Sequence, residues 1–302
     1  MATRFATLIR DSGSTTNLRA WAQFVEDTLV TTGGWVVTTD TGQTAPGSLV
    51  GTATANAKQG FRIYRMNDSL QATAPVFMRI DFGTGGSGAI AAFWVTIGTG
   101  SDGAGNITGF LWNGGASAAA TVLNSAGGSI SGLLNSYGSA ANNRVSLGLF
   151  VSNVNTYHLV FTLERTKDAT GADTSSGLLA VYIGNLGGTG VVDASRYIRC
   201  TPGAQATAET GLSYALTMQN PTQSFGGFIG AAAVIHFRGI AQQPGTNVMI
   251  VNQADVGPEG SFSMSLYGAT RTYQQLNAIT PSKATIGGSG SDTNARVCIR
   301  YD

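Results

Sequence analysis

The sequence predicts an all-β fold, a β-sandwich or jelly-roll-like domain with one short N-terminal α-helix and long Gly-rich loops. Three observations predict it. Apolar and polar residues alternate over many short segments, which are separated by Gly, Ser, Thr and Asn. A single segment carries helical periodicity. No strand-helix-strand alternation of the doubly wound kind is present. Gly supplies 42 of 302 residues, twice the ordinary share of about 7%.

The helix comes first. Leu18, Trp21, Ala22, Val25 and Leu29 make one apolar stripe at i, i+3, i+4, i+7 and i+11, with Arg19, Gln23, Glu26 and Asp27 off it. Thr15, Thr16 and Asn17 are candidate N-caps and Gly33–Gly34 a stop, so the helix is placed at 17–30. Residues 1–34 form an N-terminal arm and helix, and 35–302 a single β-rich domain. The stripe is expected to pack on its own domain, with docking on a neighbouring subunit as the alternative.

Strands follow at 35–39, 60–65, 76–82, 91–97, 107–112, 145–151, 157–164, 178–183, 196–200, 212–218, 228–237, 247–251, 262–267 and 296–301. In 76–82, Val76, Met78, Ile80 and Phe82 face one way and Phe77, Arg79 and Asp81 the other. The segment between 157–164 and 178–183 carries Lys167, Asp168 and Asp173, which makes it a solvated hairpin tip. The string YHLVFTLER, a loop, then GLLAVYIGN resembles the late hairpin of concanavalin-like and laminin-G-like sandwiches. That resemblance implies a jelly-roll arrangement and brings no sugar site with it.

Charge limits the function. Charged residues are 11% of the chain, fourteen Arg stand against Lys58, Lys167 and Lys283, and the net charge is +1. Bulk electrostatic binding to nucleic acid is excluded. No run of 18 apolar residues is present and no signal peptide opens the chain, so neither a membrane span nor export is expected. Cys200 and Cys298 sit in strand-like contexts; a buried thiol is expected for each, a disulfide between neighbouring strands being the alternative that cytosolic synthesis disfavours.

Catalytic and cofactor motifs do not assemble, and no catalytic residue, cofactor or metal is assigned. GxGxxG occurs at Gly83, Gly85, Gly88 and at Gly98, Gly100, Gly103, but a strand rather than a helix follows the second. Asp102 to Asn106 sketches a calcium loop that Ala104 interrupts, leaving a Gly-rich turn. His158 and His236 lack companions for a zinc site, and no GxSxG is present. Asp81 and Glu164 are the strand-borne carboxylates a glycosidase would need. Trp94, Trp112, Tyr137 and Tyr157 could make a sugar platform, though core packing is the simpler reading for the tryptophans. Arg62 and Arg65 could form a small basic spot, against a solvated strand face.

Two uncharged runs stand out: the 41 residues 103–143 and the 28 residues 210–237. The first is expected to be extended loop or short strands covered by another chain. Leu133, Leu134, Tyr137, Phe225 and Phe228 are its and its counterpart's apolar anchors, and they are the candidate interface residues. The competing account makes both runs core strands and turns.

The Gly/Ala/Ser/Thr/Asn bias, the scarcity of Lys and segments such as GFRIYRMNDSLQATAPVFMRIDFGTG, TIGTGSDGAGNITGF and SMSLYGATRTYQQL resemble those of tailed-bacteriophage virion structural proteins. The resemblance implies a non-enzymatic decoration, collar, baseplate or fibre-base component, located in the virion and assembled in the bacterial host cytoplasm. It implies a homo-oligomer, threefold by analogy with phage appendages, with other virion proteins as partners. A host-receptor or glycan-binding role and a glycan depolymerase are the alternatives.

Overall fold

The computed structural model describes residues 2–9, 13–85, 91–113, 120–121, 133–151, 158–184, 194–200, 209–210, 216–218, 223–225, 228–237, 241–252, 260–276 and 295–302. The fold is all-β, sandwich-like, with one short helix.

Three antiparallel sheets form it. The first contains, in spatial order, β1 (Ala2–Ile9), β8 (Leu133–Ala141), β9 (Arg144–Val151), β10 (His158–Lys167), β11 (Asp173–Gly184), β12 (Ala194–Cys200) and β13 (Glu209–Thr210). The second runs β2 (Val36–Val37), β3 (Lys58–Arg65), β4 (Phe77–Thr84), β5 (Ala91–Ser101) and β6 (Ile107–Asn113), with β7 (Ala120–Thr121) also pairing with β5. The third runs β14 (Leu216–Met218), β16 (Phe228–Phe237), β17 (Ala241–Asn252), β20 (Ala295–Arg300), β19 (Ala269–Gln275) and β18 (Ser261–Leu266), with β15 (Gln223–Phe225) pairing with β16.

The first sheet is the middle layer. Leu147 and Leu149 of β9, Phe161 and Leu163 of β10 and Ala180 of β11 enter one core with Met78, Ile80, Phe82, Phe93, Val95 and Ile97 of the second sheet. The edge-to-face pair of Phe93 and Phe161, ring centroids 6.0 Å apart, spans that gap. The alternate residues of β9 and β10 face the third sheet. There Gly148 permits close approach: a Cβ would lie 2.5 Å from a Leu276 methyl and 2.9 Å from Ile299. With both faces covered, β10 is buried continuously from Val160 to Thr166.

The helix, α1 (Thr15–Glu26), begins two residues earlier than its apolar stripe suggests, because Ser14 caps it by accepting from the Asn17 amide. It continues as a π-helical turn over Asp27–Thr32. The Thr28 hydroxyl donates to the Phe24 carbonyl (2.8 Å), competing with the helical ladder where it widens. Leu18, Trp21, Ala22, Val25 and Leu29 are all fully or almost fully buried in the main core, so the stripe packs on its own chain. Glu26, off the stripe, receives Arg62 through both oxygens (2.8 and 3.1 Å). Arg62 therefore points at the helix, and Arg65, of opposite parity on β3, makes no basic spot with it.

Two expectations change at the sheet edge. The N-terminal arm is a strand, β1, registered against β8 from Ala2↔Ala140 to Ile9↔Leu133. The part of the first uncharged run at 133–141 is an interior strand of the middle sheet, between β1 and β9, and is not a loop awaiting another chain. Ser136, Tyr137, Ser139 and Ala140 are buried because the helix lies on one face and Tyr301 and Asp302 on the other. Lack of charge here follows from burial on both faces. Residues 114–119 and 122–132 of that run lie outside the described residues.

Gly138 sits directly under the π-helical turn, where a Cβ would collide with the Thr28 side chain and approach the Phe24 ring to 3.2 Å. Gly138→Ala should destabilise the protein by about 1–3 kcal/mol, read as a lowered urea midpoint with an unchanged m-value.

Candidate functional site

The most connected polar cluster joins the middle and third sheets. The partner register of β17 jumps between Ala232↔Met249 and Val234↔Pro244, so the residues after Pro244 bulge from the ladder. Their amides turn to Glu164 on β10. Its carboxylate accepts from Thr246 N (2.7 Å), Thr246 Oγ1 (2.6 Å) and Asn247 N (3.0 Å) at 2% exposure. Asn247 Nδ2 donates to the carbonyls of Val145 and Leu163, and the Tyr273 hydroxyl to the Thr246 carbonyl (2.8 Å). Burial pushes the Tyr273 hydroxyl pKa up.

Arg144, opposite Glu164 in register, donates to Asp302 Oδ1 (2.9 Å), to its main-chain oxygen (2.7 Å) and to Ser139 Oγ. Burial and the neighbouring Arg300 pull its pKa down to about 10, against the attraction of Asp302 and Glu164. Arg300 binds the same Asp302 carboxylate (2.6 Å).

The two carboxylates a glycosidase would need are not brought together. Asp81 is in the second sheet, where Arg79 (2.6 Å) and Lys58 (3.4 Å) occupy it; Glu164 is in the middle sheet with its oxygens filled by β17. The Asp102–Asn106 segment is the β5–β6 turn. Asp102 accepts from the Ala104 and Asn106 amides and the Asn106 side chain, and these bonds lower its pKa. Beside it, Asp40 is held below the usual carboxylate range: burial opposes the charge, but bonds from Thr38, Ser101 and the turn outweigh it. Among the described residues no three His, Cys, Asp or Glu side chains converge as metal ligands. The second GxGxxG runs along β5 through this turn into β6, a strand.

His158 and His236 lie on β10 and β16, in different sheets. Trp94 stands on the outer face of β5, partly covered, with Lys58 Nζ 5.6 Å from its ring centroid; Trp112 is registered against Ile97. Tyr157 lies outside the described residues. Cys298 is a fully buried thiol beside Met264 and Tyr273, and Cys200 is on β12 in a different sheet. A cleft of about 250 Å³ opens between Ala74, Val76, Thr99, Leu111 and Leu178. The Arg165 at its wall is fully engaged, bound by both guanidinium edges to Asp68 and to the Ala74 carbonyl (3.0 Å).

The candidate interface residues divide. Leu133, Leu134 and Tyr137 fall on β8, registered against Ile9, Leu8 and Phe5 of β1. Phe225 of β15 and Phe228 of β16 are partners in the ladder register. The Tyr137 ring is only 8% exposed, covered by Phe5 (5.0 Å between centroids) and Tyr301 (5.5 Å), so its contacts are within the chain. The open surface is next to it. Along β1, Thr3, Phe5, Thr7 and Ile9 alternate outward, with Phe5 54% and Ile9 52% exposed. The alternation of β1 is weak in the sequence because Ala6 and Leu8 on one face are as apolar as Phe5 and Ile9 on the other, with Thr7 between them.

Two substitutions probe these assignments. Glu164→Ala strands the β17 amides and should cost about 3 kcal/mol in chemical denaturation. Tyr137→Glu drives a carboxylate between Phe5 and Tyr301 and should unfold or destabilise the isolated chain by about 3 kcal/mol, seen as a lowered melting temperature.

No protein-family model matches the sequence, and a comparison with curated proteins finds no significant relative.

Proposed function

We propose that the chain is a non-enzymatic structural component of a tailed-phage virion, a decoration, collar, baseplate or tail-appendage part that assembles in the host cytoplasm through uncharged surfaces. The observation that carries this reading is β1, an outer strand whose second edge pairs with no strand among the described residues and whose outward side chains are Thr, Phe, Thr and Ile. Soluble monomers blunt such edges with Lys, Pro or bulges, whereas an assembling subunit uses them. Near-zero net charge favours association in the same way. The catalytic alternative receives less support, since Asp81 and Glu164 are each saturated by neighbours. The glycan-binding alternative is weakened by Lys58 lying over the Trp94 ring.

Particles purified by density gradient from cells carrying the gene test the reading by quantitative mass spectrometry. The chain should copurify at fixed multiple copies per particle. Its recovery only in the particle-free fraction overturns the proposal.

A further inference from the structure

We infer that β1 pairs with β1 of a second copy across a two-fold axis, joining the two middle sheets into one continuous fourteen-stranded sheet. The inference deepens the assembly reading above by naming the partner and the contact.

β1 differs from the other sheet edges among the described residues. It spans eight residues and pairs with β8 without a register shift. At the far side of the same sheet β13 has two residues, and β2 and β14 have two and three. β6 is interrupted by a register shift and by Gly109 at φ +56°. β18 turns Ser261, Ser263 and Ser265 outward and so offers no apolar side chain there. β1 contains no Pro, no Lys and no bulge, and its only charge, Arg4, is engaged by Asp27 at 2.5 Å. An eight-residue strand cannot be matched by β13, so head-to-tail growth of this sheet is disfavoured. A second β1 offers the same alternation, and over Phe5–Ile9, the five residues that pair, it carries no charge. Two-fold pairing also consumes both edges and stops.

The side chains select a register. In an antiparallel pair, opposed residues lie on the same face, so the register must keep parity. Centring the axis on Thr7 sets Phe5 against Ile9 of the second copy and Ile9 against its Phe5. Ala6 meets Leu8 on the other face. Centring on Phe5 stacks the two phenylalanines but leaves Ile9 beyond the overlap; centring on Ala6 sets Phe5 against Thr7 and Arg4 against Leu8. The Thr7 register is the one that covers both exposed apolar side chains with apolar partners. A single strand pair buries less than the standard interface of about 1,600 Å², so the contact in solution is a reversible, micromolar dimer. Several such contacts per particle would act together. This contact is two-fold, in contrast to the threefold symmetry expected by analogy with phage appendages.

Sedimentation velocity of the full chain between about 1 and 100 µM reads the outcome. The wild-type chain should shift from monomer to dimer over that range. F5K/I9K opposes like charges in both cross-strand pairs and should weaken the dimer at least tenfold. F5K/I9E opposes unlike charges in the same pairs and should restore it, most at low salt. Circular dichroism and melting curves show whether each variant is folded. As a check independent of those two positions, T7C should form a disulfide-linked dimer under oxidation, since opposed strand Cα atoms lie about 4.5–5.5 Å apart, within disulfide range. A wild-type chain that stays monomeric, a dimer indifferent to F5K/I9K, a charge swap that does not restore it or a T7C chain that does not cross-link overturns the inference. If the chain is nevertheless a component of purified particles, the structural reading stands and only this contact falls; if it is absent from particles, that reading falls whatever the chain does in solution.

Discussion

The Glu164 carboxylate holds the layers together. A middle sheet covered on both faces must attach to a third sheet through positions that cannot all be apolar, because β9 presents Ser146 and Gly148 there. The bulge after Pro244 releases main-chain donors from the β17 ladder, and each needs an acceptor once buried. Glu164 takes two of them and the Thr246 hydroxyl. A buried carboxylate held by three donors has its oxygens satisfied by short-range bonds instead of by a single counter-ion. Arg144, across from it in register, hands its guanidinium to Asp302 and Ser139. The polar contacts on this side of the sheet are thus shared among a few residues, and removing any one leaves its partners uncompensated.

Much of the architecture was legible. The stripe from Leu18 to Leu29, the alternation in 76–82 and the β10–β11 hairpin each carry a strong period, and each is present. The elements that were missed have weak periods for identifiable reasons. β8 is buried on both faces, so its small residues do not alternate in polarity. β19 carries Thr270, Arg271 and Thr272, a pattern of mixed exposure at the side of the third sheet. The π-helical turn is accompanied by a hydroxyl bond from Thr28 to the Phe24 carbonyl, which no periodicity reports.

The candidate interface residues and the exposed apolar side chains fall on neighbouring strands. An uncharged surface beside Leu133 and Tyr137 was anticipated, but the exposed members are Phe5 and Ile9, one strand further out. A local pattern reveals that a segment avoids ions. It does not reveal which of two paired strands ends the sheet, since that depends on β1 meeting β8 from more than a hundred residues away. Glu164 was singled out as an acid and serves as an acceptor, because its partners lie on a bulge that only the folded ladder defines.

That long-range pairing has a consequence for the order in which the chain acquires its shape. β1 emerges before its partner β8, which begins only after the helix and the whole second sheet. Closing so large a loop costs entropy before any contact repays it, and topologies of this kind fold slowly. Until then both margins of β1 are open, and a β-prone octapeptide with a single charge is the sort of segment that seeks strangers in a crowded cell. Swift docking of the helix beside it, with Arg4 held by Asp27, would keep the first strand close to home while the rest of its sheet is made.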